Sequence, residues 1–174
     1  EGEYGAIDIL VNNAGGAARM PLAEMTMEAW SGLLELNLTS VFVVTQAVSR
    51  GMIERGRGKI VTICSLMSTV ARENNVNYAA SKGGAAMFTK AAAVELGPHN
   101  IQVNGIGPGY FDTPLTRPLK ENAEFDAWFK KETPMKRWGD VSELAGTAVF
   151  LSSAASDYVT GQIIYVDGGF LASM

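Results

Sequence analysis

The sequence predicts an α/β fold built on a parallel sheet, and two observations carry that prediction. Short apolar runs rich in β-branched residues alternate with longer helical patterns, the rhythm of strand–helix–strand units. The run Lys59-Ile60-Val61-Thr62-Ile63-Cys64 is also apolar toward both faces, as a strand covered by helices on each side must be. At 174 residues the chain fits within one domain.

Each element has its own signal. Residues 7–12 read as a buried strand. Residues 26–54 read as one long helix, with Thr26 able to cap it and Met27-Glu28 and Trp30 in its first turn. Gly56-Arg57-Gly58 is a turn, and residues 59–64 form the next strand. Residues 77–96 form a helix ended by Gly97-Pro98. Residues 101–106 form a strand. The alternating glycines of Gly105-Ile106-Gly107-Pro108-Gly109 read as a turn, because Pro108 interrupts them and no helical pattern follows directly. Residues 115–133 are irregular, with a short helix over 121–131. Residues 141–152 form a helix with Asp140 as its cap, and residues 162–166 form a last strand before Asp167-Gly168-Gly169. No internal repeat, low-complexity tract or linker divides the chain.

Composition narrows the partners. Apolar residues make up 47%, enough for a core, and the net charge of −4 leaves no basic footprint for nucleic acid or an acidic membrane surface. No apolar run reaches the length of a membrane span, and no basic-then-apolar leader opens the chain. Cys64 is the single cysteine, so no internal disulfide forms, and its place in an apolar strand suits a buried structural thiol. A cytoplasmic protein without nucleic-acid or membrane partners is the expectation.

Ligands on such sheets bind at the carboxyl ends of the strands. Asn12-Asn13-Ala14-Gly15 ends the first strand, Ser65 the second and Pro108-Gly109 the third, while Tyr78 and Lys82 open the helix after the second. Four residues apart, Tyr78 and Lys82 share a helix face. A free tyrosine, with a pKa of about 10, is a poor base at neutral pH. A nearby cation favours its phenolate, and a tyrosine so poised can exchange a proton with an alcohol. Ser65 and Ser68 both offer a hydroxyl for the reacting oxygen. Asn37, an amide inside a helix, marks a local bend. Asn104 reads as a side chain capping a loop, and His99 as a solvated loop residue. Nothing supplies a metal constellation.

In order and spacing, these motifs resemble the short-chain dehydrogenase/reductase family over residues 7–169. The resemblance implies a doubly wound, Rossmann-like parallel sheet and an enzyme that uses NAD or NADP to interconvert an alcohol and a ketone on a small-molecule substrate. It implies that Tyr78 is the general acid or base and that Lys82 lowers its pKa and bonds the nicotinamide ribose. It also implies that Ser65 orients the reacting oxygen and that Asn37 holds a water feeding protons to Lys82. By the same resemblance Asn12, Asn13, Ala14 and Gly15 pack on the cofactor by their backbone. Pro108 and Gly109 lie beside the nicotinamide, with the Phe111 backbone and the Thr113 hydroxyl reaching its carboxamide.

The family's glycine-rich phosphate loop has no counterpart here. Residues 1–174 therefore read as the C-terminal portion of a single, incomplete Rossmann-like domain, lacking on the order of 80 residues. The absent strands would pair beside residues 7–12, and the choice between NAD and NADP would be set among them. Alone, this portion is expected to bind dinucleotide weakly and turn over negligibly.

Within the family, Gly109-Tyr110-Phe111-Asp112-Thr113 with Phe125 and Trp128 is most similar to the gluconate 5-dehydrogenase branch. Arg19, just past the Asn-Asn-Ala-Gly-Gly turn, offers a bidentate fork for a sugar-acid carboxylate. Ala18 stands where that branch often carries a further arginine. The alternatives are a 3-oxoacyl-thioester reductase of the same family and a non-catalytic assembly module. Helices over residues 37–55 and 78–96 are apolar on more than one face, so a partner must cover them. The resemblance makes that partner a second copy, as a homo-dimer or homo-tetramer, with residues 170–174 helping to build the tetramer.

Overall fold

The computed structural model describes residues 2, 3 and 5–174. Four parallel strands lie side by side in chain order: β1 (Ile9–Asn12), β2 (Gly58–Ile63), β3 (Ile101–Pro108) and β4 (Ile163–Val166). Alternate residues of β2 and β3 face opposite layers. Ile60, Ile101 and Val103 pack with Met52 of α2 (Ser40–Arg55) and Ala93 and Leu96 of α3 (Val76–Leu96). Val61 and Ile106 pack instead with Leu151 of α6 (Ala145–Leu151), so helices cover both faces of the central strands.

β1 departs from the expectation of a buried strand. Ile9 and Val11 are 46% and 47% exposed, because β1 is the sheet's edge and no described strand pairs with its outer side.

The expected long helix forms, but in three pieces. Thr26 caps α1 (Met27–Leu34) by accepting from Ala29 N at 3.1 Å. Residues Glu35–Thr39 then widen into a π turn before α2 begins. Such a turn skips one i→i−4 bond and bulges the helix, which is the bend that an amide at position 37 predicts. By length and composition the 29-residue stretch Met27–Arg55 could cross a bilayer, contrary to the reading that no run is long enough. Its buried Asn37, Thr45 and Ser49, and the packing of Met52 under the sheet, make it a layer of this fold.

The glycine-rich run is strand, not turn. Gly105 and Gly107 lie inside β3, paired with Ile163 and Tyr165 of β4. A Cβ on Gly105 would stand 2.5 Å from Ile163 Cδ1, and one on Gly107 2.4 Å from Tyr165 Cδ1. The glycines are there because large β4 side chains lie across them, a tertiary reason that local turn chemistry does not reveal. Pro108 ends the strand, where its missing N–H is tolerated.

After β3 come α4 (Arg117–Lys120) and α5 (Ala123–Glu132), the latter capped by Asn122. Asp140 caps the next segment in a reciprocal capping box with Glu143, although the first turn, Val141–Leu144, is 3₁₀ before α6 continues. Phe129, Trp138 and Phe170 join Leu66, Met67 and Leu119 in a third cluster beside the carboxyl ends of the strands. Asn104 spans the loop before β4 as expected, donating from Nδ2 to Val159 O at 2.7 Å and accepting from Gln162 N at 3.0 Å.

Candidate active site

The carboxyl ends of β1, β2 and β3 meet at one cavity of about 310 Å³. Asn13 and Gly15 reach it from β1, Ser65 from β2, Pro108 and Gly109 from β3, and Tyr78 and Lys82 from α3; Phe111 and Thr113 close its far wall. The other two members of the first turn lie differently. Asn12 points its amide away, donating to Thr45 Oγ1 of α2 at 3.0 Å, and Ala14 does not line the cavity.

Ser65 and Ser68 separate cleanly. They form a reciprocal capping box around the single turn Leu66–Ser68, and the Ser68 hydroxyl also donates to Lys82 O at 2.9 Å. Ser68 is thereby spent on backbone. Ser65 Oγ accepts from Met67 N at 3.2 Å, which leaves its own hydrogen free for a ligand or for the Tyr78 phenol beside it.

Lys82 is buried, and its ammonium donates to Ile63 O at the end of β2, at 2.7 Å. Burial holds its pKa below the ordinary lysine range, with Cys64 drawing it slightly back up. The Tyr78 phenol moves the other way from expectation. Burial raises its pKa, the Ser65 hydroxyl draws it down, Tyr110 raises it, Arg19 lowers it and Cys64 raises it. The cation that acts on the phenol is thus Arg19. Lys82 is held by Ile63 O on β2, and at Tyr78 burial outweighs the groups that lower its pKa. Cys64 is buried, and its thiol is pushed up to about 11, the state of a structural thiol.

Asn37 sits behind the cavity. Its Oδ1 accepts from Gly16 N at 2.9 Å, and its Nδ2 donates to Gly16 O and to Ser81 Oγ, each at 3.0 Å. A Cβ on Gly15 would stand 3.2 Å from Asn37 Oδ1, a tight approach, and 3.5 Å from Lys82 Nζ, an ordinary contact.

A second cavity of about 80 Å³ adjoins the first. Ser65 and Tyr78 line it together with Leu115, Thr116, Leu119 and Arg19. Arg72 and Tyr110 line it as well. The sequence reading passed over Arg72. Its place depends on Tyr110 and Phe125, which lie far from it in sequence.

Comparison with known proteins places this arrangement. A short-chain dehydrogenase family model described as "Enoyl-(Acyl carrier protein) reductase" matches residues 1–171. The chain belongs to the short-chain dehydrogenase/reductase family. Among its relatives, the 5-keto-D-gluconate 5-reductase of Escherichia coli K12 is 51% identical over 174 residues, all of this chain and 68% of that protein. The gluconate 5-dehydrogenase of Gluconobacter oxydans is 50% identical over the same span, again 68% of its length. The crystal structure of a gluconate 5-dehydrogenase from Burkholderia cenocepacia, in complex with NADP and tartrate, superposes with a TM-score of 0.98. It is 50% identical, and the alignment covers 100% of this chain and 68% of that one. The chain thus spans about two thirds of the length of these relatives.

Proposed function

We propose that this chain belongs to an NAD(P)-dependent oxidoreductase that interconverts an alcohol and a ketone on a sugar acid, in the manner of gluconate 5-dehydrogenase. One observation carries the reading: a single cavity joins two hydroxyls suited to a reacting oxygen, Ser65 and Tyr78, to a guanidinium suited to a carboxylate, Arg19. The names of the relatives support it: 5-keto-D-gluconate 5-reductase and gluconate 5-dehydrogenase at 51% and 50% identity, against 43% for the 3-oxoacyl-[acyl-carrier-protein] reductase of Chlamydia muridarum.

The larger cavity fits the nicotinamide half of a dinucleotide. It is mostly apolar, it places Lys82 and the Thr113 hydroxyl at its wall, and Gly15 keeps open the space beside Asn37 and Lys82. Asn13, Gly15, Pro108, Gly109, Phe111 and Thr113 would hold that half, with Lys82 turned toward the ribose. When bound, the cofactor gives or takes the hydride. The side chains handle the proton and the oxygen. Ser65 donates to the substrate oxygen and holds its carbon in line. Tyr78 gives a proton to that oxygen in reduction and removes it in oxidation. Asn37, through Gly16 and Ser81, fixes the first turn against α3.

The full-length enzyme should turn over gluconate or 5-ketogluconate and leave an acetoacetyl thioester untouched. The reverse preference would assign it to the acyl-thioester reductases instead. The single buried thiol suits a reducing, cytoplasmic compartment. Assembly as a homo-dimer or homo-tetramer also belongs to this reading. Phe42 of α2 packs edge-on against Phe88 of α3, while Val43, Met87 and Val94 project outward at 53%, 62% and 81% exposure. A second copy would cover that apolar face.

A further inference from the structure

We propose that Arg72 is the second arm of the substrate's carboxylate site, gripping the same carboxylate as Arg19. The inference rests on the sugar-acid reading above and goes beyond it by assigning a specificity-determining residue from a different segment of the chain.

Arg72 lies in the loop between the single turn Leu66–Ser68 and α3. Two neighbours fix its guanidinium: Nη1 donates to the Tyr110 hydroxyl at 3.2 Å, and Cζ stands 4.7 Å from the centroid of the Phe125 ring. Tyr110 is itself held among Phe125, Phe129, Trp138 and Phe170, so the fork is mounted on a rigid aromatic base.

Arg19 and Arg72 both line the small cavity that Ser65 and Tyr78 also line. Both also line the open basin outside it, about 790 Å³, whose wall includes Phe125 and Trp128. Glu73 shares that basin, yet among the described residues neither arginine is ion-paired with it or with any other acid. By contrast, Arg137 elsewhere in the chain is paired bidentately with Glu143. Two unpaired guanidiniums facing one space repel each other, and the ordinary remedy is an anion between them. The electrostatics agree, since Arg19's pKa is lowered first by burial and next by Arg72.

The stoichiometry fits a carboxylate. Its two oxygens offer about four acceptor positions, more than one fork can fill. Arg72 has donors left over after its single bond to Tyr110. A sugar acid entering alcohol-first would put its reacting carbon at Ser65 and Tyr78 and leave its carboxylate at the cavity mouth, between the two forks.

The test uses the full-length enzyme with its cofactor and three variants: Arg72→Gln, Arg72→Lys and Tyr110→Phe. Gluconate binding to the holoenzyme and its KM are compared with binding of gluconamide, an uncharged isostere. Arg72→Gln should raise Kd and KM for gluconate about 10- to 100-fold, the worth of a charge-assisted contact. Its kcat, its melting temperature and its Kd for gluconamide should stay close to those of the parent. Arg72→Lys should recover part of the loss, and Tyr110→Phe should show a smaller loss of the same kind, as a positioning residue. An unchanged gluconate Kd in Arg72→Gln, or equal losses for gluconate and gluconamide, overturns the proposal while the sugar-acid reading stands. Failure of the parent enzyme to bind or turn over gluconate and 5-ketogluconate overturns that reading and this inference together.

Discussion

Asn37 Nδ2 donates to Ser81 Oγ at 3.0 Å, and this bond ties the π turn in the first helical layer to the helix that carries Tyr78 and Lys82. The same amide exchanges two bonds with the backbone of Gly16, just past the end of β1. One buried side chain therefore sets the relative positions of three of the segments that build the site.

Asn37→Ala should destabilise the protein by about 1–3 kcal/mol, because it removes three hydrogen bonds, one to the wholly buried Ser81 and two to the backbone of Gly16. Asn37→Asp should cost more, since a carboxylate oxygen would face Gly16 O in place of the donor. The midpoint of urea unfolding should fall with its slope unchanged. A variant as stable as the parent would show that water replaces the amide.

Much of this was legible in the sequence, because alternation and breakers are local signals. Four strands and the main helices fall within a few residues of expectation, and the motif residues Asn13, Gly15, Ser65, Tyr78, Lys82 and Pro108 meet where the strand ends predicted. What was not legible depends on neighbours distant in sequence. The glycines of β3 serve Ile163 and Tyr165, more than fifty positions on. Arg72 is placed by Tyr110 and Phe125. The upward shift of Tyr78 comes from burial, which a helix face alone does not disclose.

That shift gives a pH prediction. With its pKa above the ordinary value of 10.0, Tyr78 stays protonated through neutral pH. Ketone reduction, which needs the proton on the phenol, should be level across neutral pH and decline only in the alkaline range. Alcohol oxidation, which needs the phenolate, should climb with pH and show no plateau below pH of about 10. Tyr78→Phe should lower kcat by roughly 10²–10⁴-fold in both directions with little effect on folding. Profiles of kcat/KM against pH decide the first point: an oxidation plateau near pH of about 8 would mean that the bound state lowers the phenol into the range of a neutral-pH base.

A second titration concerns stability. Glu143 accepts from both terminal nitrogens of Arg137, at 2.7 and 2.6 Å, and from Asp140 N at 2.8 Å, and its pKa is held down to about 2. A depressed folded pKa contributes stability that is fully present above the unfolded value of 4.5 and is lost as pH falls through about 2. The pair is exposed, so the effect should be small. Glu143→Gln should flatten the acid limb of the stability profile between those two values, so that the variant is slightly less stable than the parent at neutral pH and the two converge as pH falls through about 2. An identical acid limb in both proteins would remove the pair from the acid response.

The apolar outer face of α2 and α3 predicts association. Replacing Val43 and Met87 together with lysine, on side chains that are 53% and 62% exposed, should convert the full-length enzyme to smaller species in sedimentation velocity without loss of helix signal. A parent enzyme that sediments as a monomer at micromolar concentration would mean that this face is not covered by a second copy.

Gly107 and Gly109 separate two kinds of close approach. A Cβ on Gly107 meets the ring of Tyr165, at 2.4 Å from Cδ1, whereas one on Gly109 meets backbone, at 2.6 Å from Asp167 Cα. A ring can swing aside, although Tyr165 would then give up its hydrogen bond to the Thr69 hydroxyl. Backbone cannot retreat without breaking the bond from Gly109 N to Val166 O, 2.9 Å, that joins β3 to β4. Both alanine variants should therefore lose about 1–3 kcal/mol, the cost of overpacking a filled site. Only Gly107→Ala should be rescued when Tyr165 is shortened to Leu, which a double-mutant cycle on the unfolding midpoint reads directly. Gly109→Ala should also weaken cofactor binding, because Gly109 walls the larger cavity and the displaced strand end moves that wall. Rescue of Gly109→Ala by the Tyr165 change would show that the two strands part as a unit and that the obstruction is not local to Asp167.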